Sequence, residues 1–316
     1  MSPPALPIVA HAAAKVNLGL ALTGIRPDGY HELRSLFLRI ALADVLTVRA
    51  GATAGPDTLE LAGDPDCPVG GNLVLRAAGA LRAALDGGEA LPALAFTLRK
   101  RIPMGGGLGG GSADAATAFR IALRAWGRSL PAAELHALAG RVGADIPFLL
   151  LGAPAADVTG IGERLAPLPR LRSAVGILLL VPPGGLATPA VFRARDALPT
   201  PGPAAASAVA ALVAAWPALD GPALAARAPG LRDANDLWPG VAVLDPALTR
   251  LRDAAEAHLG VPLLLTGSGS TLVGLYPSPD AARAAAGYVA ATGDVLAGLR
   301  PIATTDDRGA EDEEAR

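Results

Sequence analysis

A glycine-rich segment at residues Ile102–Ala113, I-P-M-G-G-G-L-G-G-G-S-A, decides how the rest of the chain is interpreted. Six of the seven residues from 105 to 111 are glycine. Because glycines are costly to order, a chain keeps so many of them where its backbone needs positive φ or lies against another group. The apolar run Ala93–Leu98 before the segment predicts a strand. After the segment, apolar residues recur at helical spacing and predict a helix: Ala116, Phe119, Leu123 and Trp126.

The order strand, glycine loop, helix favours a phosphate-binding site. The first N–H groups of a helix lack intrahelical partners, and the positive end of the helix dipole attracts anions. Ser112 is predicted to be the N-cap of this helix. We therefore expect the loop to cradle the phosphates of a nucleotide.

Three familiar glycine loops fit this segment less well. Gly105, Gly107 and Gly110 satisfy G-x-G-x-x-G, but a dinucleotide site also needs an acidic residue about twenty positions later, where residues 124–126 read Arg-Ala-Trp. A Walker A loop needs Lys and then Ser or Thr after its last glycine, and Gly111 is followed by neither pair. Glycine loops of protein kinases lead into a strand. A surface turn without a ligand is the simplest alternative.

Composition excludes several classes of function. The chain has 316 residues, enough for about two domains, and its net charge of −2 gives no basic field for nucleic acid or an anionic membrane. It shows no apolar run of membrane-spanning length and no basic start typical of a signal peptide. The single cysteine, Cys67, excludes an internal disulfide, and four scattered histidines disfavour a zinc centre. We therefore expect a cytoplasmic protein without nucleic-acid or membrane partners.

The first strand carries one of only two lysines. Residues from Ala14 to Leu22 alternate, which puts Lys15 and Asn17 on one face together with Gly19 and Ala21. The other 25 basic residues are arginines, so each lysine indicates a place that needs a compact ammonium instead of a planar guanidinium. A solvated polar face is the plain alternative, whereas the small residues favour room for a ligand.

A tight turn brings an aromatic pair forward. Arg26-Pro27-Asp28-Gly29 has the proline and glycine of a type I turn, and Tyr30 and His31 follow it directly. A stacking ring beside a two-sided hydrogen-bonding ring suits a nucleobase pocket. Alternatively, Tyr30 packs beneath a hairpin and His31 is exposed.

Two polar residues stand at helix starts. Asn72 stands at the start of the predicted helix from 72 to 85, where capping is its simplest role. Asp145, in Gly143-Ala-Asp-Ile-Pro147, can likewise be an N-cap. The other interpretation places the Asp145 carboxylate beside the phosphate loop, where it accepts the proton of an attacking hydroxyl.

Four blocks of sequence resemble the GHMP kinases, the family of galactokinase, homoserine kinase and mevalonate kinase. The segment from Pro103 to Gly109 resembles the family's P-x-G-x-G-L-G loop. The other blocks occur in the family's order: Ala14–Leu18 with Asp28–His31, Val142–Pro147, and Leu265–Gly269, the last preceded by Asn235-Asp236. The extended G-G-G-L-G-G-G-S resembles the branch that phosphorylates the 2-hydroxyl of cytidine-diphosphate methylerythritol in the non-mevalonate isoprenoid pathway.

The resemblance implies an α+β fold. It has an N-terminal domain resembling ribosomal protein S5 domain 2 and a ferredoxin-like C-terminal domain. The sequence pattern also changes near residue 160. We therefore expect an ATP-binding domain at 1–160, a substrate domain at 161–303 and a disordered acidic tail at 304–316. The implied cofactors are ATP and Mg²⁺, and the implied partner is a small cytidine diphosphate. The chain is expected to be a monomer or homodimer.

The resemblance also implies roles for individual residues. Asp145 matches the catalytic aspartate and Lys15 its partner lysine. Asn72 and Lys100 match positions near the adenine. The substrate contacts it implies are Asn17, Tyr30, His31, Thr188 and Phe192. The phosphate loop it implies consists of Pro103, Met104, Gly105, Gly106, Gly107, Leu108, Gly109, Gly110, Gly111 and Ser112.

The chain departs from the family in this loop. Many members have two serines after L-G, the first suited to the metal, where Gly110 and Gly111 stand here. Ala113 replaces a serine that is common in the branch, which removes one hydroxyl and its phosphate hydrogen bond, worth about 1 kcal/mol. The alternatives are another GHMP kinase of homoserine or mevalonate type, and a nucleotide-binding module without catalysis; intact Lys15 and Asp145 argue against the module.

Overall fold

The computed structural model describes residues 6–51, 55–62, 70–85, 91–292, 296 and 298–308. The strands in these parts of the chain are β1 Ile8–Ile25, β2 His31–Ala50, β3 Thr58–Ala62, β4 Leu94–Arg99, β5 Ala155–Gly160, β6 Arg164–Leu168, β7 Gly176–Val181, β8 Leu263–Leu265, β9 Leu272–Tyr276 and β10 Arg300–Thr305. The helices are α1 Leu73–Ala84, α2 Gly110–Trp126, α3 Ala132–Val142, α4 Ile146–Leu151, α5 Thr188–Asp196, α6 Ala204–Ala215, α7 Gly221–Ala225, α8 Ala228–Leu231, α9 Trp238–Leu244, α10 Pro246–Leu259 and α11 Pro279–Ala291.

The first sheet is built on the long strand β2. On one side β2 pairs antiparallel with β1 along nearly its whole length. On the other side its first half pairs with β5 and its second half with β4, giving the order β3-β4-β2-β5-β6. The sequence patterns of Leu33–Ile40 and Val45–Arg49 by themselves predict two short strands, where the structure has the single strand β2. The strand continues between them because Ala43 and Asp44 pair with β1, past an irregularity in the register, and Ile40 forms a bridge with Asp306.

The glycine loop and helix α2 lie against this sheet. The predicted apolar stripe of α2 is buried, with Ala116 and Phe119 fully enclosed, whereas Arg124 is exposed. Helix α2 packs on α1, α4 and β1. This packing fixes the start of α2, and therefore the glycine loop, beside the middle of β1.

The second sheet is antiparallel, in the order β10-β7-β9-β8. Strand β7 is buried at every residue because it pairs with β10 on one edge and with β9 on the other, and because α11 packs against it. Strands β5 and β6 belong to the first sheet, so the chain leaves that sheet after Leu168. The expected domain boundary at 160 falls inside the β5–β6 hairpin, because Thr159–Gly162 makes the turn of that hairpin.

The C-terminal end differs from its prediction. Thr304 and Thr305, expected in a disordered tail, complete β10 by pairing with β7, and Asp306 is buried where it accepts the Val175 N–H. Residues 309–316 of the expected tail and Cys67 lie outside the described residues. In the described ranges, no helix is long and apolar enough to cross a membrane.

Candidate active site

The glycine loop turns sharply into α2. Gly105, Gly107 and Gly109 all have positive φ, which L side chains rarely adopt. Gly109 is the N-cap of α2, in left-handed geometry and without a side-chain cap. The prediction of Ser112 as N-cap is wrong, because the helix begins at Gly110 and Ser112 lies within its first turn. The first N–H groups of α2 therefore have no capping side chain.

Two loop glycines are also required by close contacts. A Cβ at Gly107 would overlap the carbonyl oxygen of Thr266. A Cβ at Gly109 would lie 3.1 Å from Lys15 Cε. The loop is thus wedged between β1 and the loop after β8, with no space for side chains at these positions.

Lys15 is buried beside the glycine loop. Its ammonium donates to Asn17 Oδ1 at 2.7 Å and to the Gly107 carbonyl at 3.1 Å. It also lies 4.9 Å from the centre of the Phe37 ring, a cation–π distance. The shared direction of Lys15 and Asn17 on β1 is therefore confirmed, and the solvated face is wrong for both.

Asp145 lies opposite Lys15. Its Oδ2 is 3.4 Å from Lys15 Nζ, and the carboxylate is 31% exposed while the lysine side chain is 4% exposed. Asp145 occupies the N-cap position of α4 but makes no capping hydrogen bond. Its side chain therefore pairs with Lys15 instead of capping the helix, and it lines the larger of the two cavities described below.

Asn17 links the two sheets. Its N–H donates to Thr266 Oγ1 at 2.9 Å, and its amide donates to Ser35 Oγ at 2.9 Å. Asn235 donates to the Leu265 and Gly267 carbonyls at 3.0 and 2.9 Å, so the loop after β8 is held on both sides. These bonds place residues 266–268 against the Lys15 end of the site.

Gly19 does not leave room for a ligand, contrary to the sequence prediction. A Cβ there would lie 2.8 Å from Val209 of α6 and 3.1 Å from the Ala234 carbonyl oxygen. Its small size serves the packing of α6 on β1.

A cluster of charged side chains lies at the other end of the loop. The Lys100 ammonium pairs with the carboxylates of Asp44 and Asp114, at 2.8 Å for Asp114. All three side chains are almost completely buried. Asp44 also accepts the Arg101 and Ile102 N–H groups, whereas Asp114 Oδ1 has no hydrogen-bond partner in the described parts of the chain.

Burial and the neighbouring charges shift the pKa values of Asp114 and Lys100. Burial raises the pKa of Asp114 to about 7, and the charge of Lys100 only partly opposes this. Burial acts to lower the pKa of Lys100, but the charges of Asp114 and Asp44 outweigh it and the pKa is raised. The pair therefore keeps the lysine charged and lets Asp114 bind a proton near neutral pH.

The glycine loop lines two cavities, one on each side. The smaller, of about 270 Å³, is lined by residues 103–111 and by Asn72, Lys100 and Asp114. Asn72 also caps α1, since its side chain accepts the Val74 N–H at 3.0 Å, so the predicted capping role is confirmed.

The larger cavity, of about 680 Å³, holds the aromatic residues expected to bind a base. The rings of His31 and Phe192 lie 4.9 Å apart, and Tyr30 is 61% exposed. The turn before them is confirmed, because the Gly29 N–H donates to the Arg26 carbonyl at 2.9 Å. Thr188 shares a 2.8 Å hydrogen bond with Ser268 at the same cavity. Tyr30 is therefore not packed beneath the hairpin.

Gly107 and Gly109 line both cavities, and Lys15 and Asp145 line the larger one. A phosphate chain in the small cavity and an alcohol in the large one would meet at this point. The arrangement suits phosphoryl transfer, in which the protein mainly positions two reactants and stabilises charge.

Sequence reasoning missed four contributors to the site. Asp44, Asp114, Asp196 and Ser268 were not singled out, although an aspartate within the alanine-rich buried face of α2 was a usable signal for Asp114. The sequence around Asp196 gives no comparable indication of its role. Its part in the site depends on a contact with His31, which lies 165 positions away in the sequence.

Comparison with known proteins identifies the family of the chain. The model of the GHMP kinases N terminal domain matches residues 72–153, and that of the GHMP kinases C terminal domain matches residues 221–295. The fold is therefore that of a GHMP kinase, and the predicted α+β architecture is confirmed.

The relatives narrow the family further. The 4-diphosphocytidyl-2-C-methyl-D-erythritol kinase of Gluconacetobacter diazotrophicus is 41% identical over 86% of this chain and 88% of its own length. The kinase of the same name from Granulibacter bethesdensis is 42% identical over 88% of each chain. A crystal structure of 4-(cytidine 5'-diphospho)-2C-methyl-D-erythritol kinase has 34% identity and a TM-score of 0.71, covering 94% of this chain and 98% of that one. The chain belongs to the 4-diphosphocytidyl-2-C-methyl-D-erythritol kinase family.

Proposed function

We propose that this enzyme transfers the γ-phosphoryl group of ATP to the 2-hydroxyl of 4-(cytidine 5'-diphospho)-2-C-methyl-D-erythritol. The observation that carries the proposal is the meeting of two cavities at Gly107 and Gly109, next to the Lys15–Asp145 pair. The smaller cavity suits the phosphates of a nucleotide donor, and the larger one is big enough for a nucleotide-linked alcohol. The names of the relatives support this acceptor.

The donor is held by main-chain groups. Because Gly109 leaves the first N–H groups of α2 without a side-chain cap, these groups would donate to the phosphates. Asn72 and Lys100 line the end of the cavity where the adenosine would lie. Lys100 is already paired with two carboxylates, so we assign it to the shape and charge of this wall and not to the transferred phosphate.

The transfer step is assigned to Lys15 and Asp145. Asp145 accepts the proton of the attacking hydroxyl, and the hydroxyl oxygen forms its bond to the γ-phosphorus as the bond to the leaving ADP oxygen breaks. Lys15 neutralises charge on the phosphoryl oxygens. Its bonds to Asn17 and Gly107 fix the ammonium, so little reorganisation is needed during the reaction.

The acceptor is held by residues of the larger cavity. Tyr30 and Phe192 are assigned to the faces of the cytosine and His31 to its polar edge. Asn17 and Thr188 are assigned to the methylerythritol phosphate end, because Asn17 bonds Lys15 and Thr188 bonds Ser268 of the loop after β8.

Magnesium fits the residues present. No cluster of three metal-ligating side chains occurs in the described ranges, but Mg²⁺ usually takes one or two carboxylates and completes its shell with phosphates and water. Asp145 is the partly exposed carboxylate at the junction of the cavities and would hold the ion together with the ATP phosphates. The ion would neutralise charge on the triphosphate.

The proposal is tested by measuring ADP release from ATP with a panel of acceptors. The panel contains the cytidine-diphosphate methylerythritol, homoserine and mevalonate. We expect release with the first compound alone, and mass spectrometry should find one added phosphate on its 2-hydroxyl. ADP release with homoserine or mevalonate, or ATP binding without transfer to any acceptor, would contradict the proposal.

A further inference from the structure

The acceptor cavity contains a contact that sequence reasoning did not foresee. His31 Nε2 lies 2.7 Å from Asp196 Oδ1, the last residue of α5. The His31 side chain is 11% exposed and that of Asp196 is 44% exposed, and both line the cavity. Phe192 lies one helical turn before Asp196 on α5, so a single helix supplies the ring against His31 and the carboxylate on its Nε2.

The contact determines which ring nitrogen of His31 carries a proton. An ionised carboxylate accepts hydrogen bonds but has no proton to donate, so Nε2 must be the donor. In a neutral imidazole the other nitrogen is then an acceptor. Among the described residues, none forms a hydrogen bond with His31 Nδ1, which leaves it available to a ligand.

The two pyrimidines differ at the position that such an acceptor reads. Cytosine carries a 4-amino group, a hydrogen-bond donor, whereas uracil carries a 4-oxo group, an acceptor. An unprotonated Nδ1 accepts a hydrogen bond from the 4-amino group of cytosine. When the base is uracil, the same nitrogen faces the 4-oxo group, and two acceptors cannot form a hydrogen bond. A polar site left unpaired in this way discriminates strongly between ligands.

We propose that Asp196 is a positioning residue that fixes the Nε2-protonated tautomer of His31 and thereby makes the acceptor site select cytidine over uridine diphosphates. The inference rests on the proposed function, since it takes the acceptor to be a cytidine diphosphate. Asp196 acts through His31 and does not touch the reacting atoms. Without Asp196, His31 can carry its proton on Nδ1 and donate to a 4-oxo group.

The test compares the intact protein with Asp196→Ala and Asp196→Asn at pH 8. Asp280→Ala is the matched control, because Asp280 is an exposed carboxylate on α11 that pairs with Arg283, and its removal changes the net charge equally. Values of kcat and KM are measured with the cytidine diphosphate acceptor and with its uridine counterpart. In parallel, ¹⁵N NMR of the ligand-free proteins reports which nitrogen of His31 is protonated.

We expect the native protein and Asp280→Ala to favour the cytidine acceptor by more than about 100-fold in kcat/KM, with Nε2 protonated. Asp196→Ala should lose at least about tenfold of that preference through KM, with kcat within about twofold, and its ¹⁵N shifts should report a mixture of tautomers. Asp196→Asn keeps the side-chain shape but can donate or accept, so it should be intermediate.

Two failures are distinguishable. If the native protein phosphorylates neither pyrimidine acceptor, the proposed function is wrong. If it phosphorylates the cytidine acceptor but Asp196→Ala and Asp196→Asn keep the native preference and the native ¹⁵N pattern, the inference about Asp196 is wrong while the proposed function stands.

Discussion

The ammonium of Lys15 donates a hydrogen bond to the carbonyl oxygen of Gly107 at 3.1 Å. This bond joins β1 to the middle of the glycine loop, across 92 residues of sequence. The cation assigned to the transferred phosphate is therefore fixed by the same loop that is assigned to the donor phosphates. A change in the path of the loop should alter both phosphate binding and the position of Lys15.

Gly107→Ala should impair folding and catalysis together. Gly107 has φ +76°, and a Cβ would overlap the Thr266 carbonyl oxygen. We expect a loss of about 2–4 kcal/mol in the free energy of unfolding, from left-handed backbone strain and overpacking. Urea denaturation and steady-state kinetics measure the two effects.

Gly79→Ala is the control for that substitution. Gly79 lies inside α1, and nothing lies within 4 Å of the place its Cβ would take. We expect a gain of about 0.5–1 kcal/mol and unchanged kcat, because alanine is the better helix former. Equal stability of the two variants would contradict the packing described for the loop.

Asp145→Asn should remove most of the turnover while leaving the fold intact. Lys15 retains its bonds to Asn17 and Gly107, so the buried cation is still hydrogen-bonded. We expect kcat to fall by about 10²–10⁴-fold, the range for loss of a proton acceptor. Asp253→Asn, at an exposed position on α10, should behave like the native enzyme. Near-native turnover of Asp145→Asn would refute its catalytic role.

Phe192→Leu should weaken acceptor binding specifically. The leucine keeps an apolar side chain but loses the ring that lies 4.9 Å from His31. Stacking of a base on an aromatic ring is worth about 1–3 kcal/mol, so the KM of the cytidine acceptor should rise by about 5- to 150-fold while the KM of ATP stays constant. Tyr288→Leu on the exposed face of α11 is the matched control. A parallel rise in both KM values for Phe192→Leu would indicate a general structural defect instead.

Asp114→Asn should change how stability depends on pH. The pKa of Asp114 is raised from 3.8 to about 7 in the folded protein, chiefly by burial. Between about pH 4 and 7 the unfolded chain therefore releases this proton before the folded protein does, so the native protein loses stability as pH rises through this window. Asp114→Asn lacks this loss. We therefore compare the free energy of unfolding of the native protein with that of the variant at each pH. Between pH 4 and pH 8 this difference should shift against the native protein by at most about 4 kcal/mol.

Urea denaturation at pH 4, 6 and 8 measures that difference. Glu60→Gln, at an exposed position on β3 and outside the Lys100 cluster, is the control for removing a carboxylate. Parallel pH profiles for the native protein and Asp114→Asn would mean that Asp114 is ionised throughout the range.

The elements of the fold were predictable where short-range patterns control them. The stripe on α2, the turn at 26–29 and the alternation that points Lys15 and Asn17 to one side all appear as expected. The N-cap of α2 was misassigned because Gly109 adopts left-handed geometry, which a sequence pattern for side-chain caps does not detect. The sequence predicts two strands in place of β2 because the middle of β2 is held by long-range contacts, the pairing of Ala43 and Asp44 with β1 and the bridge from Ile40 to Asp306, which its local pattern does not show.

The sequence by itself determined the glycine loop, the helix behind it, and the residue types of the site, because these depend on backbone preferences and periodicity over a few neighbouring residues. Tertiary structure alone decided which of those residues meet. The Asn17–Thr266 bond spans 249 positions and the His31–Asp196 contact spans 165. Such contacts depend on how two sheets pack and on the exact depth of each side chain, and no local pattern encodes them. The burial of Lys15 and Lys100, and their contacts with carboxylates and a carbonyl group, likewise depend on tertiary packing.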